Sequence, residues 1–334
     1  MRRALPPLFP SVLLAFVALT AGEAAAAAAR AGAPAGLTIG APRSLTYFPL
    51  HAARELGYFD EEGISVTFFD VEEHGALEAL GGGRADLVGA PAALAIEASR
   101  RGPRVQLVMA VQARSAAVLV ARGEAGLAPG AVAALRGRRV AAPEGQRGLE
   151  LALRAILRGA GLAPGRDVRL EAVAARRILA ALQAGRVDAA ILPGEMAAQA
   201  IERQRFAAVL VDLRRGEGPP AAQAVAMPTL QGMSETLTRR RDAVRRAVRA
   251  VTRAQRRLRG DTEFAAQVAE RALRGADPQL IRAVLEAEAP GYRPAVSREA
   301  VAHLISAFPA GRGPAPEGGY EQIVATAFAP LWAD

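Results

Sequence analysis

One block of this chain occurs twice, and a duplicated block constrains architecture more tightly than any bulk property. Leu77, Leu80, Gly83, Arg84, Asp86 and Pro91 recur as Leu179, Leu182, Gly185, Arg186, Asp188 and Pro193, each 102 positions further on. Upstream, residues 37–42 align with residues 138–143 at a shift of 101. Each copy reads in the same order: a short apolar strand, a helix, a second strand (64–71 and 168–173), a second helix, and a third strand ending just before Pro91 or Pro193. Strands alternating with helices predict parallel sheets with right-handed crossovers. Gly83 and Gly185 stand where each second helix has to stop.

Two copies of such a unit predict an α/β protein of two Rossmann-like lobes. The apolar, strand-like segments 116–122 and 222–227 bracket the second copy and read as the two crossings of a hinge. From Ser234 onward the periodicity is helical, and these helices are expected to pack back on the first lobe. The organisation is therefore a leader over 1–29, a first lobe from 36–115 plus 226–334, and a second lobe from 116–225.

The leader carries Arg2 and Arg3, an apolar run over 8–19 and an alanine tract over 24–29, the pattern of a cleaved export signal. Its apolar core is shorter than the ~20 residues that span a bilayer. The chain has no Cys, which removes the lipid-attachment cysteine of a bacterial lipoprotein along with thiol nucleophiles, disulfides and thiolate metal sites. A free periplasmic protein is expected.

Composition narrows the chemistry further. All 42 basic residues are Arg, against 33 acidic ones, for a formal charge of +9. Without Lys there is no Schiff-base or phosphate-loop lysine. Only His51, His74 and His303 are present, widely separated, so a zinc site or a Ser/His/Asp triad has little to draw on, and no metal or cofactor is expected. Aromatic residues make up 4% of the chain, too few for surfaces that stack bases, and no nucleic-acid partner is expected. The Arg-rich stretch 239–259 is an amphipathic basic helix whose polar face reads as solvated, with an anionic membrane or nucleic acid as the alternative.

In open parallel sheets ligands bind beyond the carboxyl ends of the strands, where backbone N–H groups are free. The repeat places such loops on both sides of an interlobe cleft. In the first lobe they carry Arg43, Ser44, Thr46 and Tyr47, then His74 at the start of a helix, then Ala90 and Pro91. In the second they carry Gln146 and Arg147, then Pro193 and Glu195. Ser44, Thr46, Tyr47 and Gln146 are the expected hydrogen-bonding groups, Arg43 and Arg147 the partners of an anionic group, and Glu195 or Glu144 those of an amine or ring N–H. A zwitterionic or heterocyclic ligand follows. His51 reads as a packing residue, and Asp86 and Asp188, at the opposite edge of the sheets, read as structural.

At residues 42–49, at Arg54-Glu-Leu-Gly-Tyr-Phe59, at Glu62-Gly-Ile-Ser-Val66 and at Gly83-Arg-Ala-Asp86 the sequence resembles the type II periplasmic binding proteins of the nitrate, sulfonate, taurine and thiamine-pyrimidine-precursor uptake systems. The resemblance runs from about Leu37 to Met227. It implies a monomeric receptor that closes on its ligand like a flytrap and delivers it to an ABC permease and its ATPase. By position it also implies ligand contacts at Ser44, Thr46, Tyr47, Ala90, Pro91, Gln146, Arg147, Pro193 and Glu195. Many relatives carry a Trp-Glu-Pro-type motif where this chain has Leu192-Pro-Gly-Glu195, and ligand identity does not transfer. The alternatives are an enzyme on the same fold acting on a small heterocycle or carboxylate, and a ligand receptor for a membrane sensor.

Overall fold

The computed structural model describes residues 35–102, 104–308 and 319–333; the leader lies outside them. Ten strands form two five-stranded sheets. The first has the order β2-β1-β3-β10-β4 and the second β7-β6-β8-β5-β9. In the first sheet β1 is Ala35–Gly40, β2 Ile64–Phe69, β3 Leu87–Pro91, β4 Val105–Ala110 and β10 Pro228–Met233. In the second, β5 is Ala117–Arg122, β6 Arg139–Pro143, β7 Arg169–Val173, β8 Ala189–Pro193 and β9 Ala207–Asp212. The two orders superimpose position for position, so the duplication in the sequence is a duplication of sheets.

Gly-Arg-x-Asp accounts for its own recurrence. Asp86 accepts the Thr38 N–H at 2.9 Å through its carboxylate, and its own N–H donates to the Thr38 carbonyl, also at 2.9 Å. Asp188 does the same with Arg139, at 2.9 and 2.8 Å. Each Asp thus clamps the start of the third strand to the first. Gly83 and Gly185 precede these clamps at φ of +69° and +67°, a left-handed conformation that lets the helix before each strand reverse at no steric cost.

Two expectations need correction. The sheets are mixed: β10 runs antiparallel to both β3 and β4, and β5 antiparallel to both β8 and β9. The hinge segments are also narrower than expected: of 222–227 only Ala226–Met227 belongs to a crossing, and the first crossing ends before residue 117. Residues 117–122 are strand β5, and residues 220–225 form a short helix, not a strand. The chain crosses between the sheets just before β5 and just before β10, at Gln112–Ser115 and Ala226–Met227. The first crossing is anchored by Gln255, whose amide donates to the carbonyls of Ala110 and Val111 at 2.9 and 2.7 Å, and by Gln223, which accepts the Ser115 N–H at 3.0 Å.

Seven further helices position the cleft: α1 (Phe48–Glu55), α2 (Glu73–Gly81), α3 (Ala93–Ser99), α4 (Arg147–Gly159), α5 (Gly194–Ala198), α6 (Arg241–Arg259) and α7 (Pro278–Glu288). Helix α6 buries Val244, Ala247, Val248, Val251 and Leu258, the stripe its sequence predicts. Its Arg face is paired with the first lobe: Arg249 binds Glu62 at 2.7 Å, Arg253 binds Glu61, and the Arg253 guanidinium lies 4.1 Å from the Tyr58 ring centroid. Helix α7 instead packs on α5 of the second sheet, so the C-terminal helices touch both halves. No helix among the described residues is long and apolar enough to cross a membrane.

Candidate functional site

The carboxyl ends of β1, β3, β6 and β8 face one another across a cavity of about 260 Å³, just below the range of about 300–1,000 Å³ usual for small-molecule sites. Because β5 and β10 enter their sheets antiparallel, both crossings open onto the same space, and Ala116, Ala117, Ala226 and Pro228 form its back wall. Pro91, Leu149, Pro193 and Met196 supply apolar surface.

Of the residues singled out in the sequence, Arg43, Ser44, Thr46, Tyr47, Pro91, Gln146, Pro193 and Glu195 line this cavity together. Three do not. Ala90 is buried, with its carbonyl taken by Thr229 at 2.8 Å and by Gln231 at 3.2 Å. His74 is exposed at the rim, opposite Gly145. Arg147 turns out of the cavity: its Nε donates to Glu97 of α3 at 3.0 Å and its Nη1 to Glu150 at 2.6 Å. Its role here is an ion pair between the two halves. Arg43 lines the cavity but donates its Nη2 to the Ala272 carbonyl at 3.2 Å.

Asp70, Glu72 and Glu73 also line the cavity, and sequence reading did not select them. Glu73 opens α2 and accepts the N–H of Gly148, in the first turn of α4, at 2.9 Å. Glu195, in the first turn of α5, accepts the N–H of Leu45 from the opposite lobe. Each sheet therefore sends one carboxylate across the cleft to a backbone N–H of the other. Burial pushes the Glu73 carboxyl up to about 7 against the pull of the Gly148 N–H, and raises that of Glu195 against the Leu45 N–H. Close packing supports the arrangement, since a Cβ on Gly148 would lie 2.7 Å from that of Pro91.

Tyr47 is 5% exposed, and burial together with the charges of Glu73 and Glu72 raises its phenol well above the usual range. His51 is buried on α1, its Nε2–H donating to the Pro42 carbonyl at 2.9 Å. The bond ties α1 to the entry of the loop that carries Arg43 to Tyr47, a structural task. Burial lowers its pKa. Among the described residues no three His, Asp or Glu side chains stand together as metal ligands.

Behind the cavity Glu288, the last residue of α7, is 2% exposed and accepts from Gln112 of the first crossing at 3.4 Å. Burial pushes its carboxyl up to about 8, the Arg214 charge pulling the other way and that of Glu195 adding to the rise.

Solved structures share this fold. The alkanesulfonate-binding protein SsuA of Xanthomonas axonopodis pv. citri, bound to MOPS, superimposes with a TM-score of 0.68 at 21% identity, over 88% of this chain and 98% of that one. The periplasmic aliphatic sulphonate binding protein SsuA of Escherichia coli gives 0.69 at 20% identity, over 82% and 85%. The periplasmic nitrate-binding protein NrtA of Synechocystis PCC 6803 gives 0.60 at 14% identity, over 73% and 68%. No curated protein sequence matches the chain. The family model described as NMT1/THI5 like matches residues 45–262, more than half of the sequence and both halves of the duplicated core, and the chain therefore belongs to the NMT1/THI5-like family.

Proposed function

We propose that this protein is the solute-binding receptor of an ABC-type importer. It captures a small organic molecule or anion between its lobes, residues 36–115 plus 226–334 and residues 116–225, and presents the closed form to a permease and its ATPase. It works in the periplasm as a monomer, after removal of residues 1–29. The observation that carries this reading is the reciprocal pair of contacts across the cleft, Glu73 to Gly148 and Glu195 to Leu45. A cavity whose walls belong to two sheets, joined by two short crossings, changes shape when the lobes part. A ligand touching both walls favours the closed state by its differential affinity.

Uptake needs no bond to be made or broken in the solute, and the reading assigns no residue a catalytic role. The experiment is a thermal-shift screen of the purified protein against small amines, sulfonates, carboxylates, amides and sugars, followed by mass spectrometry of each stabilising compound after incubation. A ligand at 100 times its Kd adds ~2.7 kcal/mol of stability. The expected result is stabilisation by a narrow set of compounds recovered unchanged. A compound recovered altered would replace the receptor reading with an enzyme on this fold.

A further inference from the structure

The receptor reading leaves open what the cavity holds, and the inference that follows rests on it. Among the described residues five charged side chains line the cavity: Asp70, Glu72, Glu73 and Glu195 against Arg43. The guanidinium of Arg43 is engaged by the Ala272 carbonyl. The backbone N–H groups of Leu45 and Gly148 point into the cleft from opposite sides, where an anionic solute would look for donors. Both are already taken by the protein's own carboxylates. Arg147, the other cation near the loops, is held outside by Glu97 and Glu150. The wall thus sets four carboxyl groups against one guanidinium, the two backbone donors aimed into the cleft are engaged, and Ser44, Thr46 and Gln146 add only uncharged hydrogen-bonding groups.

A second feature points to an occupant. Tyr47 is 5% exposed and lines the cavity within reach of the Glu72 and Glu73 charges, yet its hydroxyl makes no hydrogen bond among the described residues. That hydroxyl is therefore free to donate to, or accept from, a molecule in the cavity. Beside it Pro91, Leu149, Pro193 and Met196 form apolar walls suited to a hydrocarbon or ring skeleton.

We infer that the solute is a small organic cation, a protonated amine or amidine on a compact apolar skeleton, held in the field of Glu73 and Glu195 with the Tyr47 hydroxyl as a further partner. Binding restores to these buried carboxylates the positive charge that no side chain of the cavity gives them, and a charge-assisted hydrogen bond is the strong kind.

The test is calorimetric titration and thermal shift with carbon-matched pairs: butylamine against butanesulfonate, benzylamine against phenylmethanesulfonate, and benzamidine against benzoate. A set of neutral amides and sugars is run alongside. Amine or amidine members are expected to stabilise the protein and their anionic partners not to. Glu195→Gln, which keeps an acceptor for the Leu45 N–H, is expected to weaken the best cation at least about tenfold, and Glu73→Gln likewise, each variant melting within a few degrees of the parent. Binding of the sulfonates in place of the amines, strengthened by Glu195→Gln, would overturn the inference and make Glu195 a placeholder that an anionic ligand displaces. Binding of neutral compounds alone would overturn the cation and leave the receptor reading standing. No stabilisation by any of the three sets would overturn the receptor reading and the cation with it.

Discussion

The N–H of Gly148 donates to the carboxylate of Glu73 at 2.9 Å, joining the first turn of a helix in one lobe to the first turn of a helix in the other. Above pH 7, where the Glu73 carboxyl is ionised, a hydrogen bond to a charged group contributes about 1.5–3 kcal/mol, enough to shift an open–closed equilibrium by an order of magnitude or more. Glu73→Ala is therefore expected to lower the closed population of the ligand-free protein about tenfold, and Glu73→Gln, which keeps an acceptor, to lower it much less. The chain has no Cys, so Asp60→Cys and Glu171→Cys can carry a dye pair whose transfer efficiency reads the distance between lobes. Equal distance distributions in parent and Glu73→Ala would show that this contact does not hold the lobes together.

Arg147 gives a contrasting case. Its ion pair with Glu97 also crosses the cleft, but its side chain is 44% exposed, and exposed pairs contribute about 0–1 kcal/mol. Arg147→Ala is expected to change ligand affinity by less than about fivefold, with the difference disappearing at high salt as screening grows. A loss of about a hundredfold that persists in 1 M salt would mean that Arg147 meets the ligand directly.

The repeat was the most legible part of the sequence because it encodes a bond. Asp86 and Asp188 recur since each closes the same two-point clamp between first and third strand, and their structural reading follows from that position. Asp188→Ala removes the acceptor for a partly buried N–H, a loss of about 1–3 kcal/mol. The urea midpoint should fall accordingly without any change in ligand selectivity. A variant that kept its midpoint would remove the clamp as the reason for the repeat.

What the sequence hid follows from physical ambiguities. Residues 220–225 are a short apolar, alanine-rich run, and over such a length periodicity does not separate a strand from a helix; Pro220 at the first helical position was the signal for the helix. The antiparallel direction of β5 and β10 cannot be read from local pattern, because it is set by where the chain returns after crossing between lobes. At the site, strand-end reasoning found the loops but not every side chain that turns inward. Glu73 and His74 are adjacent on α2, and successive helical residues point about 100° apart. The cavity takes Glu73, and His74 is left at the rim.

Glu288 sets a pH dependence that the ligand does not. The groups facing it are Gln112, Arg214, Asp212, Glu195 and Tyr292, and its Oε1 packs against Gly194, where a Cβ would collide with it. Free in an unfolded chain it ionises near 4.5; buried in the fold, near 8. Between those values the folded state holds a proton that the unfolded state has released, so this group's contribution to stability falls as pH rises, by up to ~1.4 kcal/mol per pH unit. Below pH 4.5 both states are protonated, and above pH 8 both are ionised, so the slope from this group vanishes at either end. Glu73 and Glu195 contribute slopes of the same sign, and the measurement must isolate Glu288 by difference. Glu288→Gln keeps the shape and the neutral form, so its urea stability should match the parent near pH 5 and exceed it increasingly toward pH 8. Parallel stability curves for the two proteins across that window would show that Glu288 is ionised in the folded state at neutral pH, with Arg214 as its counter-charge.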